Sequence, residues 1–271
     1  MQTQSKFRLL VVRLGAMGDI LHALPAVTAL RLAHPEWVID WVVEPRWQAL
    51  LAAEDAIGRV VSRPLVDHLL FAPTREWRDA PFNEKTHHEI KLLRRTLREG
   101  NYDAVLDLQG AIRSAVIGRF AKSVRLIGEE EPRERPARWL YTERVRTRGT
   151  HVIEQDVDLA AAVAGDDLRP ETPLLPIDPA AEARADEVLS RSGSGNTVLI
   201  NPGAGWGAKR WPVERYSAVA QGLIARGFRV VVNAGPREEH LAESIAAAIG
   251  GAAILLTGTI PQLIAITRRV A

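Results

Sequence analysis

The stretch FRLLVVRLGAMGDILHALPA (Phe7–Ala26) decides the fold. It opens with an apolar run of strand length, and two glycines follow within six residues. The apolar run predicts a strand, and the glycines after it permit close backbone approach and positive φ in the loop that follows. Pro25 cannot donate a helical hydrogen bond and fits best at a helix start. We therefore expect an irregular junction and then a helix over Pro25–Ala33, with a kinked helix from Asp19 onward as the alternative.

Short apolar runs alternate with segments of helical period in the first part of the chain. This alternation predicts βαβ units, and hence a parallel sheet with helices on both faces. The predicted strands are Phe7–Val12, Val38–Val43, His68–Phe71, Ala104–Leu108 and Val124–Ile127. The further predicted helices are His87–Glu99, Ile112–Phe120 and Val152–Ala164. Together these elements predict an N-terminal domain over residues 1–168.

The segment GDDLRPETPLLPIDP (Gly165–Pro179) carries four prolines and predicts a linker at residues 169–179. The α/β pattern then restarts, which predicts a second doubly wound domain over residues 180–271. Its predicted strands are Thr197–Asn201, Arg229–Asn233 and Ala252–Leu256, and its predicted helices are Ala180–Arg191, Val213–Arg226, Glu238–Ile249 and Pro261–Ala271. Since the sequence stops inside a helical pattern without a cap signal, we expect this domain to be incomplete.

Composition narrows the class of protein. The chain has 271 residues with a net charge of +2, which is not the strongly basic composition typical of a nucleic-acid-binding protein. Any basic patch must therefore be local. It has no cysteine, which excludes disulfides and thiolate metal sites. Neither a signal peptide nor a membrane span is predicted. We expect a cytoplasmic globular protein.

Asp19 lies at the predicted strand-to-helix junction and has two interpretations. As a helix N-cap it would satisfy free backbone N–H groups. As a general base it would stand where ligands bind in doubly wound sheets, beyond the carboxyl end of a strand. A helix N-terminus stabilises the carboxylate and makes it a weaker base, unless an apolar wall offsets this. For His22, capping or packing is favoured over catalysis.

Two nucleotide-binding motifs are disfavoured. A dinucleotide fingerprint needs G-x-G-x-x-G and an acid after the second strand; Glu44 supplies the acid, but only Gly15 and Gly18 are present. An acidic side chain beside a pyrophosphate would also be repulsive. The P-loop pattern G-x-x-x-x-G-K-[ST] does not occur in the sequence.

The loop NPGAGWGAKRWP (Asn201–Pro212) predicts an anion site in the second domain. Its glycines expose backbone N–H groups, the following helix adds the positive end of its dipole, and Lys209 and Arg210 add charge. The alternative is a solvated turn in which Trp211 anchors in the core. Two further strand-to-helix turns, NAGPREEH (Asn233–His240) and LTGTIP (Leu256–Pro261), follow on the same predicted edge.

The sequence resembles the ADP-heptose:lipopolysaccharide heptosyltransferases of glycosyltransferase family 9 over nearly its whole length. The matching stretches are MGDILHALPA (Met17–Ala26), IDWVVEPRW (Ile39–Trp47), NYDAVLDLQGAIRSA (Asn101–Ala115), NPGAGWGAKRWP (Asn201–Pro212) and LTGTIPQL (Leu256–Leu263). The resemblance implies an α/β fold of the GT-B type, with two Rossmann-like doubly wound domains that face each other across a cleft. It also implies an inverting, metal-independent transfer of L-glycero-D-manno-heptose from ADP-heptose to Kdo of the lipopolysaccharide inner core, on lipid A. No cofactor and no metal are expected.

The resemblance also assigns roles to residues of this chain. Asp19 would be the base that deprotonates the acceptor hydroxyl, and Lys209 would neutralise the leaving diphosphate. The remaining donor-binding residues would be Gly205 and Trp206 at the diphosphate, Glu239 (with Glu238 as the neighbouring choice) at the ribose, and Thr259 and Ile260 at the adenosine. The family continues with a D-x-G-x-x-H motif, before which this sequence ends.

An anionic acceptor would explain the arginine-rich segment PRERPARWLYTERVRTRG (Pro132–Gly149). Kdo carboxylates and lipid A phosphates favour guanidinium forks. The expected acceptor-binding residues are Arg133 first, then Arg75 and Arg78, and Gln109 and Arg113 beyond the fourth strand. The segment could add weak attraction to the anionic inner face of the cytoplasmic membrane; the alternative is an ordinary solvated charged face.

Three other functions remain open at this level. One is a GT-B glycosyltransferase that uses a different nucleotide sugar. Another is a non-catalytic nucleotide-sugar-binding fragment. An oxidoreductase is the least favoured of the three.

Overall fold

The computed structural model describes residues 6–190, 196–204, 207–235 and 238–270. The chain divides into two compact units. The first comprises Met1–Ala52 and Arg63–Pro176, and the second comprises Ala53–Ser62 and Ile177–Ala271. The short segment Ala53–Ser62 therefore belongs with the second unit, which the sequence pattern did not predict. Most of the proline-rich segment belongs with the first unit.

The first unit is built on a parallel six-stranded sheet in the order β5-β2-β1-β6-β7-β8. Its strands are β1 (Arg8–Val12), β2 (Val38–Val43), β5 (His68–Phe71), β6 (Ala104–Asp107), β7 (Arg125–Glu129) and β8 (Glu143–Val145). Its helices are α1 (Met17–Ala33), α2 (Thr74–Asp79), α3 (Glu84–Glu99), α4 (Ile112–Phe120) and α5 (Val152–Ala164). Strand β1 lies in the centre, with Leu9 opposite both Ile39 and Ala104.

Both faces of this sheet are covered. Leu10 and Val12 of β1 and Val105 of β6 share one buried cluster with Leu97 of α3 and Ala115 of α4. Helices α1 and α5 pack against each other, and α5 also contacts β6 and β7. This arrangement explains why the central strands are continuous apolar runs rather than alternating ones.

Helix α1 corrects the predicted helix start. The helix begins at Met17, and Pro25 lies inside it. Asp19 accepts a hydrogen bond from the N–H of Ala16, the N-cap residue, at 3.1 Å, which stabilises this early start. Pro25 is fully surrounded by buried neighbours, so tertiary packing outweighs the local loss of one helical hydrogen bond. The kinked-helix alternative was therefore closer than a helix over Pro25–Ala33.

The second unit holds a parallel three-stranded sheet in the order β11-β10-β9. Its strands are β9 (Thr197–Ile200), β10 (Arg229–Ala234) and β11 (Ile254–Thr257), and its helices are α6 (Pro179–Ser190), α7 (Val213–Ala225), α8 (Glu239–Ala248) and α9 (Ile260–Thr267). Val230 and Val232 pack with residues of α7 and α8, whereas Val231 packs with residues of α6 and α9. An antiparallel pair, β3 (Ala53–Glu54) and β4 (Val60–Ser62), completes the unit.

Across the residues that the structure describes, we find no helix that combines the length and the apolar character needed to cross a bilayer.

Candidate active site

Asp19 lies in the first turn of α1, at the carboxyl end of β1. It caps the helix as its third residue, by accepting from Ala16, rather than as the N-cap itself. Its side chain is still 36% exposed, and one guanidinium nitrogen of Arg13 stands 3.8 Å from its Oδ1. The structural and the chemical interpretations of Asp19 are thus compatible, because one carboxylate oxygen caps the helix while the group stays open to a ligand. His22 is exposed on the same helix, so of the two roles favoured for it, capping and packing, the packing role is wrong.

A cavity of about 370 Å³ opens beside Asp19, and five of its eleven lining residues are arginines. We call it the arginine cavity; its lining residues are Leu14, Gly15, Ala16, Asp19, Glu44, Arg46, Arg75, Arg78, Gln109, Arg113 and Arg133. All five residues expected to bind the acceptor are in this list, together with the expected base. Arg46 was not expected, although its position three residues after the second predicted strand could have indicated it.

The topology explains why these side chains meet. Parallel strands place all their carboxyl ends at one edge of the sheet, and ligands bind outside that edge. Gly15 follows β1, Arg46 follows β2, Arg75 follows β5, Gln109 follows β6 and Arg133 follows β7. The loops or helices that follow five neighbouring strands therefore all line the same cavity.

The charge of the cavity is strongly positive. Arg46 is paired with Glu44 at 2.9 Å, and Thr74 donates its hydroxyl to the same buried carboxylate at 2.7 Å. Within the described residues, Arg75, Arg113 and Arg133 make no salt bridge. Glu44 is thus an internal counter-charge for Arg46, and several guanidinium groups remain for an anionic ligand.

Gln109 has a structural role in this site. Its side chain is buried, and its amide oxygen accepts from the N–H groups of Leu14 and Gly15, at 3.1 and 3.4 Å. This ties the loop after β6 to the loop after β1. Only the NH₂ group of the amide is then left to donate to an acceptor.

Arg133 is held against the loop after β6. Gly110 has a φ of +63°, and a Cβ built there would stand 3.1 Å from the backbone nitrogen of Arg133. The N–H of Glu134 donates to the carbonyl of Gly110 at 2.9 Å, and the carboxylate of Glu134 accepts from the N–H of Ile112 at 2.8 Å. Glycine is therefore required at position 110 both by its conformation and by the close approach of the second loop.

A second cavity of about 490 Å³ adjoins the first and shares Asp19, Gln109 and Arg133 with it. We call it the acidic cavity, since its charged lining residues are Arg13, Asp19, Asp107, Glu129, Glu131, Arg133 and Asp156. Sequence reasoning missed this cavity. Asp156 lies in the middle of α5 and looks like an ordinary polar helix position in the sequence.

Two acids of this cavity are buried in different ways. Asp107 accepts from the N–H groups of Gln109 and Gly110 and from the hydroxyls of Ser114 and Tyr141. Burial raises the pKa of Asp107 to about 6, against the opposing effect of these hydrogen bonds. Burial raises the pKa of Asp156 to about 7, with the positive charge of Arg13 opposing the rise. In contrast to Asp107, Asp156 has a buried Oδ2 without any hydrogen-bond partner in the described part of the chain.

The expected donor-binding residues belong to the second unit. Gly205 and Trp206 lie outside the described residues. Lys209 ends a short 3-10 turn, Gly207–Lys209, and is exposed. Glu239 begins α8 and is half-buried, Thr259 is the exposed N-cap of α9, and Ile260 is the first residue of that helix.

Arg210 and Glu238 form a pair that joins two of the loops. The guanidinium of Arg210 donates to Glu238 at 2.7 Å and to the carbonyl of Ala204 at 3.0 and 2.8 Å. The carboxylate of Glu238 also packs against the backbone at Gly203, where a Cβ would force the end of the Glu238 side chain to move. Arg210 is therefore neutralised locally, which leaves Lys209 as the cation of this loop that is open to a ligand.

Trp211 does not anchor in the core as the solvated-turn alternative assumed. Its side chain is 55% exposed, and its ring lies 5.6 Å from that of Tyr216. Among the described residues, no group of three or more His, Asp or Glu side chains is placed to hold a metal ion.

Comparisons with known proteins agree with this architecture. Lipopolysaccharide heptosyltransferase 1 of Escherichia coli K12 is 29% identical over 245 residues, which is 88% of this chain and 72% of that protein. The protein of the same name from Pseudomonas aeruginosa is 28% identical over 252 residues, 92% of this chain and 67% of that one. The solved structure of E. coli heptosyltransferase WaaC with ADP-2-deoxy-2-fluoro heptose superimposes with a TM-score of 0.77 at 26% identity, covering 97% of this chain and 81% of that one.

Two Rossmann-like units, each built on a parallel sheet, together with the similarity to solved heptosyltransferases, define a glycosyltransferase of the GT-B fold. The profile of glycosyltransferase family 9 (heptosyltransferase) matches residues 90–269, and the chain belongs to this family. The fold class expected from the sequence is thereby confirmed.

Proposed function

We propose that the protein transfers L-glycero-D-manno-heptose from ADP-heptose to Kdo of the lipopolysaccharide inner core, with Kdo-lipid A as acceptor and inversion at the anomeric carbon. One observation carries this proposal. The carboxylate of Asp19 stands in a cavity lined by five arginines, at the edge of the sheet where the fold binds ligands.

The arginine cavity fits an acceptor that is both hydroxylated and anionic. Kdo carries a carboxylate, and lipid A carries phosphates. Arg75, Arg113 and Arg133 can each offer a planar fork of N–H donors to such groups. In this arrangement the arginines orient the acceptor so that its nucleophilic hydroxyl meets Asp19.

The chemistry divides between the two units. Asp19 takes the proton of the acceptor hydroxyl while the oxygen attacks the anomeric carbon from the face opposite the diphosphate. Positive charge develops on the sugar ring, as in glycoside hydrolysis. Negative charge develops on the departing ADP, and Lys209 with the backbone N–H groups of its loop neutralises it. Protein cations thus do the work that a divalent ion does in other transferases.

The donor-binding role of the second unit is part of this proposal. The turn that contains Lys209 would take the diphosphate, with Gly205 and Trp206 beside it. Glu239 would accept from the ribose hydroxyls, and Thr259 and Ile260 would hold the adenosine. The Arg210–Glu238 pair supports Glu239 over Glu238 for the ribose, because Glu238 is already engaged.

Contact with the cytoplasmic face of the inner membrane is a further part of the proposal. An acceptor embedded in that leaflet requires the arginine cavity to approach it. Arg135, Arg144 and Arg148 are exposed in the segment after β7, and Trp139 among them is 74% exposed. Basic side chains near an anionic surface contribute about 1 kcal/mol each.

Turnover with a panel of nucleotide sugars tests the proposal. We expect transfer to Kdo-lipid A from ADP-heptose and not from UDP- or GDP-linked hexoses, with release of one ADP per sugar transferred. Transfer from another nucleotide sugar at a higher kcat/KM would refute the donor assignment. Binding of ADP-heptose without any transfer would instead indicate a binding protein.

A further inference from the structure

Glu44 is a buried acid in the wall of the arginine cavity. It directly follows β2 and is 6% exposed. In the sequence it supplies the acid of a dinucleotide fingerprint that the rest of the chain does not complete. A negative charge at this place weakens the attraction of the cavity for an anionic acceptor, and burying a carboxylate is itself unfavourable. The contacts of Glu44 show what this carboxylate does instead.

The two carboxylate oxygens of Glu44 hold different elements. Oε1 accepts from the hydroxyl of Thr74 at 2.7 Å, and Oε2 stands 2.9 Å from Nη2 of Arg46. Thr74 is the first residue of α2, the helix that carries two further arginines of the cavity. The N–H of Glu44 donates to the carbonyl of Leu14 at 3.1 Å, in the loop after β1. One buried residue thus joins the elements that follow β1, β2 and β5.

Arg46 is fixed on two sides. Besides its ion pair with Glu44, its guanidinium carbon lies 4.8 Å from the ring centroid of Trp47. That indole packs in turn against Gly15, where a Cβ would stand 2.6 Å from the indole nitrogen. A carboxylate at one edge and an aromatic ring at its face restrict the orientation of the guanidinium. Arg46 lines the arginine cavity, so the N–H groups that Glu44 does not engage can meet a ligand there.

We propose that Glu44 is a positioning residue for acceptor binding. It fixes the guanidinium of Arg46 directly. Through Thr74 it fixes the start of α2, from which Arg75 and Arg78 extend. Because this arrangement exists before the acceptor arrives, binding does not have to order the Arg46 side chain. Arg46 is then a further anion-binding residue of the acceptor site. This inference rests on the proposed role of the arginine cavity in acceptor binding.

The substitution Glu44→Gln separates positioning from charge, because the two accounts predict opposite signs. Removing the carboxylate makes the cavity more positive, so charge alone would lower KM for an anionic acceptor. If Glu44 positions Arg46, loss of the ion pair releases that side chain and raises the acceptor KM about five- to tenfold. We expect kcat to stay within about twofold of the wild type, since the base and the donor site are untouched.

Glu76→Gln is the matched control for this substitution. It removes an exposed carboxylate from α2, outside the lining of the cavity. Water screens a charge at such a position, so the acceptor KM should change by less than about twofold.

A double-mutant cycle identifies the partner through which Glu44 acts. Arg46→Ala should by itself raise the acceptor KM at least about fivefold. In that background Glu44→Gln should add less than about twofold, because the side chain that it positions is gone. Thr74→Val should raise KM about threefold by releasing the start of α2, and Thr74→Ser, which keeps the hydroxyl, should behave as the wild type.

Three results would overturn the inference. The first is an unchanged or lower acceptor KM in Glu44→Gln. The second is a fall in kcat alone, since a merely structural role reduces the amount of folded enzyme and leaves KM as it was. The third is a cycle in which the effects of Glu44→Gln and Arg46→Ala on KM simply add.

The proposed function and this inference fail separately. Calorimetric binding of free Kdo to the whole chain needs no turnover. If Glu44→Gln weakens Kdo binding but the wild type transfers nothing from ADP-heptose, the function is wrong and the positioning role stands. If the wild type transfers heptose and Glu44→Gln leaves both KM and Kdo binding unchanged, only the role of Glu44 is wrong.

Discussion

Replacing Asp156 with Asn should make the protein more stable at alkaline pH and leave its stability unchanged in acid. Asn has the shape of the protonated Asp but cannot ionise. In the folded chain burial raises the pKa of Asp156 from its ordinary value of 3.8 to about 7. The folded protein therefore resists an ionisation that the unfolded chain undergoes freely.

The sign and size of the effect follow from linkage. Below about pH 3 the carboxyl is protonated in both states and contributes nothing. As the pH rises to about 7 the unfolded chain releases its proton first, so the wild type loses stability over this range. The two pKa values differ by about 3 units at about 1.4 kcal/mol each, which gives an upper limit of about 4 kcal/mol. Half of that limit would raise the midpoint of thermal unfolding by roughly 4 to 8 °C in a domain of this size.

The assay is denaturant or thermal unfolding of wild type and Asp156→Asn at about pH 3 and about pH 8, compared at constant ionic strength. Asp107→Asn is the matched control, because Asp107 is equally buried but accepts four hydrogen bonds. In this control the amide NH₂ group would face hydrogen-bond donors. The variant should therefore have a lower free energy of unfolding than the wild type at every pH, by about 1 to 3 kcal/mol per unmet donor. An Asp156→Asn variant that is less stable than wild type at alkaline pH would refute the reasoning.

Three further predictions concern the arginine cavity with its neighbouring loops and the loop that contains Lys209. Arg133→Ala should raise KM for the acceptor at least about tenfold through the loss of one guanidinium fork, with ADP binding unchanged. Arg98→Ala, an exposed arginine of α3 that does not line the cavity, is the control. An equal effect of both substitutions on KM would mean that general charge, not the cavity, binds the acceptor. Gly110→Ala should lower the free energy of unfolding by about 1 to 2 kcal/mol, because of its positive φ and the 3.1 Å approach of the Arg133 nitrogen, and denaturant unfolding measures this. A neutral result there would contradict the close packing of the two loops. Lys209→Ala should lower kcat by about two orders of magnitude, through weaker neutralisation of the leaving diphosphate, whereas Lys91→Ala on α3 should not. Steady-state kinetics with ADP-heptose would exclude this role if kcat stayed at the wild-type value.

Much of the fold could be predicted because helix and strand signals in this chain are local. Helices Ile112–Phe120 and Val152–Ala164 have the predicted bounds, and the strands differ by at most two residues at either end. The errors arise where tertiary packing decides. Pro25 lies inside α1, and β8 lies in an arginine-rich run that has no apolar alternation.

The candidate site was predictable only in part. Most residues of the arginine cavity follow predicted strands of a parallel sheet, so that their meeting beyond the carboxyl ends of these strands could be expected. Asp156 could not be found this way, since its burial depends on how α5 packs against the sheet. The solvated-turn alternative expected Trp211 to be buried, but its side chain is exposed. A large aromatic side chain after a loop is therefore not necessarily part of the core.

The substitution Asp19→Asn tests the central claim most directly, with heptosyl transfer and ADP binding measured on the same preparation. The amide keeps the size of the side chain but cannot take the proton from the acceptor hydroxyl. We predict that transfer falls by about two to four orders of magnitude, while the affinity for ADP stays at the wild-type value. Transfer at a near-normal rate would contradict the assignment of Asp19 as the base of this heptosyltransferase.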